Sequence, residues 1–172
     1  MMVVVVGCSK DTPETSRDAE AKPQVASNPT PEPVSPVDKK LIADAIVEKA
    51  IRKSLKKPEG ELTEADLGNV IELILADTQI TDEGLKEMAK LQRLETLQLS
   101  YTRITDAGIK ELAKSQQLGT LFLTDTQITD AGLKDVTKLH KLKMLRISGT
   151  KVTKAGVTEL KEALPNCKIY GP

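Results

Sequence analysis

The sequence predicts an α/β solenoid: stacked coils with short parallel strands on a concave face, helices on the convex face, and an α-helical cap at the N-terminal end. Three observations carry this. Thr78-Gln79-Ile80-Thr81-Asp82, Thr102-Arg103-Ile104-Thr105-Asp106 and Thr126-Gln127-Ile128-Thr129-Asp130 are near copies at a period of 24 residues, with a decayed fourth at Thr150-Lys151-Val152-Thr153-Lys154. Before these copies, apolar residues alternate with period two: Leu97 and Leu99, Leu121 and Leu123, Leu145 and Ile147. After each copy the apolar spacing turns helical. Units of this length bury their apolar faces only by stacking, so the fold is a surface for holding something.

The chain has 172 residues, room for one modest domain with extensions. Its 25 basic and 25 acidic residues balance, so no large field points to nucleic acid. With no Trp and one Phe, stacking on single strands has little to work with, and the core must be aliphatic. Cys8 and Cys167 lie at opposite ends with no ligand-spaced neighbours, so no metal or other cofactor is expected.

From the N-terminus, residues 1–8 are apolar but too short to span a bilayer. Val5-Val6-Gly7-Cys8 resembles the bacterial lipobox, which implies acylation at Cys8 and removal of residues 1–7. The apolar run is short and lacks a basic start, as expected if Met1-Met2 is internal to a longer signal. Residues 9–37 are rich in Pro, Glu, Ser, Thr and Ala and read as a disordered tether, reaching roughly 30 to 85 Å.

Residues 38–70 read as a helical cap of two short helices. Asp38 is the expected N-cap of the first, with Val37 and Ile42 at staple spacing. Val47, Ala50, Ile51 and Leu55 form its apolar face, and Lys57-Pro58-Glu59-Gly60 breaks it. Thr63 and Asp66 stand at capping-box spacing for the second, flanked by Leu62 and Leu67.

Residues 71–172 hold the repeats. Leu94, Leu118 and Leu142 complete an L-x-x-L-x-L frame; Leu73 and Leu75 begin the series and Ile169 closes it. Thr78, Thr102, Thr126 and Thr150 stand at the bend, where a hydroxyl satisfies backbone that would otherwise be buried unpaired. Thr81, Thr105, Thr129 and Thr153 are the expected helix caps. Gly84, Gly108, Gly132 and Gly156 occupy the first helical turn, where a side chain would strike the adjacent coil. Lys154 replaces the acid that favours a helix N-terminus, at a cost of a few tenths of a kcal/mol.

The recurrent Ile-Thr-Asp-x-Gly-Leu and the terminal Leu164-Pro165-Asn166-Cys167-Lys168-Ile169 resemble the cysteine-containing class of leucine-rich repeats. The helical segment before them resembles the cap of internalin-like bacterial proteins. The resemblance implies a fold and a non-enzymatic protein-binding module, not a substrate. With the lipobox it implies a lipoprotein tethered in the bacterial cell envelope; without acylation, the alternative is a soluble intracellular scaffold. His140 is the sole His and has no nucleophile at recognisable spacing, so no enzyme is expected.

If the strands stack, Ile74, Gln98, Phe122, Arg146 and Tyr170 form the middle column of the concave face. Met144 lies in a flanking column, and Tyr101 in a loop after a strand. An exposed Phe beside Arg, on a chain otherwise nearly devoid of aromatics, makes this the candidate partner-binding patch. The strip offers only about 240 Å² in projection, against about 800 Å² per partner in a standard interface. Rim loops or many tethered copies must therefore contribute. The expected partners are a protein of unknown identity and, through Cys8, a membrane; nucleic acid is not expected, and the chain is expected to be a monomer.

Overall fold

The structure, a computed structural model, describes residues 40–171. The lipobox with Cys8, the tether and the Val37–Asp38 start of the cap lie outside the described residues. Residues 40–171 fall within one compact unit.

The first helix, α1 (Ala45–Leu55), begins later than the sequence suggests. Its N-cap is Asp44, not Asp38: the Asp44 carboxylate accepts from the Ile46 and Val47 amides at 2.8 and 3.0 Å. The residues before it have other partners. The Leu41 carbonyl accepts from Lys90 Nζ at 2.6 Å and the Ala43 amide donates to Glu87 at 3.3 Å. Backbone committed to a neighbouring coil in this way is not closing a helix of its own. Ile42 is nevertheless buried, as are Val47 and Ile51. Lys56 ends α1 in a left-handed conformation. The second helix, α2 (Glu64–Leu67), is a single turn with the expected Thr63–Asp66 capping box, and Leu62 and Leu67 are buried beside it.

Five strands follow in one parallel sheet, ordered as in the chain: β1 (Glu72–Ile74), β2 (Thr96–Gln98), β3 (Thr120–Phe122), β4 (Met144–Arg146) and β5 (Lys168–Tyr170). The register advances by one repeat per strand, pairing Leu73 with Leu97, Leu97 with Leu121, Leu121 with Leu145 and Leu145 with Ile169. Leu73, Leu97, Leu121 and Leu145 are fully buried, and the Leu94, Leu118 and Leu142 column packs with them. The convex side carries a 3-10 helix (Gly84–Lys90), then α3 (Asp106–Leu112), α4 (Asp130–Val136) and α5 (Lys154–Ala163), each packed on the next. Helix α1 closes the N-terminal end against β1 and the 3-10 helix.

Two polar columns run through the stack. The hydroxyls of Thr78, Thr102, Thr126 and Thr150 donate to the carbonyls of Leu75, Leu99, Leu123 and Ile147 at 2.6–2.8 Å, satisfying the bend. The second column links coils. The Asp82 carboxylate accepts both the amide and the hydroxyl of Thr105, at 2.9 and 2.6 Å. Asp106 does the same for Thr129, and Asp130 for Thr153. These contacts draw the Asp130 carboxyl below the usual range, the Thr153 hydroxyl first and its amide second.

The same ladder explains the glycines. A Cβ at Gly108 would lie 2.5 Å from Asp82 Oδ1, and at Gly132 and Gly156 it would strike Asp106 and Asp130. At Gly84 the carboxylate in the way belongs to Asp44, so the cap presents to the first coil what each coil presents to the next.

Thr105, Thr129 and Thr153 cap α3, α4 and α5 as expected. Thr81 does not: the first convex element is a 3-10 helix preceded by Glu83, with no side-chain cap. The other three threonines are each oriented by an Asp 23 residues upstream. The position 23 before Thr81 is Pro58, which offers no acceptor side chain.

Candidate functional site

Side chains that alternate with the buried leucines project from the concave sheet. The strand register aligns Ile74, Gln98, Phe122, Arg146 and Tyr170 as one column across all five strands. Beside it run Glu72, Thr96, Thr120, Met144 and Lys168, likewise in register.

The two ends of this face differ. At β1, Ile74 is exposed, and the Gln98 amide donates to Glu72 at 3.1 Å. At β3 to β5 the Arg146 guanidinium carbon lies 5.5 Å from the centre of the Phe122 ring and 5.4 Å from that of Tyr170. A guanidinium between two rings gains from the negative faces of both, about 0.5–1 kcal/mol per ring when exposed. Met144, two residues before Arg146 on the same strand and half-buried, extends this patch toward Lys168.

The rim is set by backbone. After the strands, Asp77, Tyr101, Asp125 and Gly149 take left-handed conformations with φ of 57, 61, 54 and 71°. The first three donate their amides to Ser100, Thr124 and Ser148 of the next coil, at 3.1, 2.8 and 2.9 Å. Gly149 adopts this at no steric cost and leaves room for the Asp125 carboxylate, which stands where its Cβ would be. Tyr101 bears a bulky side chain in the same conformation, and the residue is 58 % exposed.

Along the other edge, a groove of about 600 Å³ is lined by residues that include Glu95, Thr96, Thr120, His140 and Lys143. His140 is exposed there. Cys167 is buried, and burial pushes its thiol above the ordinary value. Among the described helices, none is long and apolar enough to cross a membrane.

Of the residues read from the sequence as partner-binding, five thus share one column, Met144 flanks it, and Tyr101 stands on the rim. Cys8 lies outside the described residues. Two features escaped the sequence reading. The approach of both rings to Arg146 required side-chain directions that the column order does not give, and the conformation of Tyr101 required the bend geometry shared with Asp77, Asp125 and Gly149.

A leucine-rich-repeat family model matches residues 69–89 and 90–113. No curated protein matches the sequence. Among solved structures, an internalin (inlF) from Listeria monocytogenes is similar over 76 % of this chain and 36 % of its own, at 22 % identity and a TM-score of 0.58. A leucine-rich-repeat protein from Leptospira interrogans matches 63 % of this chain and 27 % of its own, at 25 % identity and a TM-score of 0.49. An internalin C2 from Listeria monocytogenes matches 75 % and 83 %, at 20 % identity and a TM-score of 0.38. This chain therefore spans about a third of the first of these proteins. Repeat sequence, five-stranded open sheet and helical cap agree: this chain has a leucine-rich-repeat solenoid fold similar to that of the internalin.

Proposed function

We propose that this protein is a non-enzymatic capture module, held at a bacterial envelope membrane through lipid on Cys8, which binds a protein partner on its concave face. The leucine-rich-repeat fold supports protein interaction in general. The observation that carries the specific surface is the contiguous Phe122–Arg146–Tyr170 stack, flanked by Met144 and overlooked by Tyr101. Outside Tyr101, these are all the aromatics the chain has. Aromatic residues and Arg are the types that dominate binding energy when buried at an interface.

The lipobox-like Val5-Val6-Gly7-Cys8 supports the tether. A surface-bound array also answers the small area of the strip, because many copies raise effective concentration without new contacts. Metabolic labelling with a lipid precursor tests the anchor: wild type incorporates label and Cys8→Ser does not. Unlabelled wild type in a host with lipoprotein machinery would favour the soluble scaffold.

Affinity capture from native envelope extract tests the face. Phe122→Ala and Arg146→Glu should each weaken capture while leaving thermal unfolding nearly unchanged, since neither side chain is in the core. Capture equal to wild type by both variants would dismiss the concave patch.

A further inference from the structure

We infer that Arg146 is the receptor for a carboxylate on an acidic, extended segment of the protein partner. This rests on the concave-face reading above and names the chemistry of what docks there.

The Phe122 and Tyr170 rings lie within cation–π reach of the guanidinium carbon and accept none of its N–H groups in a hydrogen bond, which leaves those donors for a ligand. Among the described residues, Arg146 has neither an ion-pair nor a side-chain hydrogen-bond partner. Arg52, in contrast, is held by Glu48 and the Gly60 carbonyl, and Lys57, Lys86, Lys90, Lys114 and Lys138 each sit on a carboxylate. Arg93 and Arg103 are unpaired too, yet neither lies over a ring. Arg146 is thus both flanked by two rings and unneutralised. A planar fork whose geometry is already set loses less freedom when it takes a carboxylate by two parallel hydrogen bonds.

The surroundings agree in sign. On the rungs facing Arg146 stand Thr120, Phe122, Met144, Lys168 and Tyr170, with no acid among them. The acid of these columns, Glu72, is three strands away and engaged with Gln98. The β4–β5 end is therefore positive, through Arg146 and Lys168, and the β1 end is negative and apolar. Strand spacing puts Ile74 about 14 Å from Arg146, or about four residues of extended chain. A segment that lies along the column with its acidic residue over β4 would complement both ends. One guanidinium and one lysine are too few for the long basic track that nucleic acid requires.

The test is an NMR titration of the ¹⁵N-labelled full chain, reading the Arg146 Nε–H signal, which Arg146→Lys identifies by removing it. The probes, at matched ionic strength, are acetylated hexaglutamate, acetylated hexaglutamine and inorganic phosphate. A saturable shift with hexaglutamate alone supports the inference. In Arg146→Lys, the Tyr170 and Lys168 amide shifts should then need about tenfold more hexaglutamate, because lysine keeps the charge but not the fork. An Arg146 signal unmoved by hexaglutamate, or moved equally by hexaglutamine, overturns it. A tighter response to phosphate also overturns it and reassigns the site to phosphate-bearing ligands. If partner capture is lost in Phe122→Ala while hexaglutamate leaves Arg146 unmoved, the concave face stands and the carboxylate falls. If capture survives in both Phe122→Ala and Arg146→Glu, the face itself is wrong.

Discussion

Tyr101 holds a left-handed backbone at φ 61°, a conformation that costs a side-chain-bearing residue about 1–2 kcal/mol. Asp77 and Asp125 meet the same demand with a residue type that tolerates it, and Gly149 with none at all. Replacing Tyr101 with Asn, which also tolerates this region, should therefore raise stability by about 1 kcal/mol in urea unfolding. Loss of stability would show that the exposed ring packs more than the residue's 58 % exposure suggests. Glycine 132 makes the opposite case. A Cβ there meets the Asp106 carboxylate that holds Thr129, so Gly132→Ala should destabilise by about 1–3 kcal/mol. Gly119 is the control: its added Cβ would find only ordinary contacts, at 3.7 and 3.8 Å, and Gly119→Ala should be nearly silent. Equal losses at both positions would remove the ladder explanation.

The N-terminal cap titrates. The Asp66 carboxyl is lowered from 3.8 to about 2, by the Lys57 ammonium above all and then by the Thr63 amide and hydroxyl. A carboxylate whose folded value is depressed stabilises the fold above its unfolded value and loses that contribution as pH falls. The advantage of wild type over Asp66→Asn should be constant from pH 7 down to about 4 and vanish near pH 2. Urea midpoints of the two proteins at pH 7, 4 and 2 measure it; a gap that widens in acid would contradict the assignment. At the other end, Lys154 opens α5 where earlier coils have Asp. Lys154→Asp should stabilise by a few tenths of a kcal/mol through the helix dipole, read as a small rise in thermal midpoint. Lysine also offers no acceptor to the backbone of a further coil, so the Asp–Thr ladder stops there. The sequence shows a capping residue when its partners are close in the chain, as with Thr63 and Asp66. It hides one whose partner sits a full coil away. Thr81 has the local look of Thr105 but not the upstream Asp. Asp38 has the local spacing of a cap, yet Asp44 has the amides, because Lys90 and Glu87 hold the chain just before it.

The whole molecule is a one-dimensional stack whose aliphatic interior continues from Val47 and Ile51 of the cap to Leu160 of the last coil. That much was readable in advance, because a leucine frame repeated at constant period specifies which side chains face inward without knowledge of the turns between. The columns of the outer face followed by the same arithmetic. What sits between neighbouring rungs did not, since the clasp on Arg146 depends on side-chain directions across three strands. The proposed function rests on a surface rather than a cavity, and that surface has a direction, acidic and aliphatic at β1 and cationic and aromatic at β4–β5. Site-specific photocrosslinking tests this most directly. A benzoylphenylalanine placed at Gln98, within the column but outside the Phe122–Arg146–Tyr170 stack, should yield a discrete adduct with the partner in native envelope, whereas the same group at exposed Lys134 on the convex α4 should yield none. An adduct from Lys134 and none from Gln98 would place recognition on the helices and contradict the account.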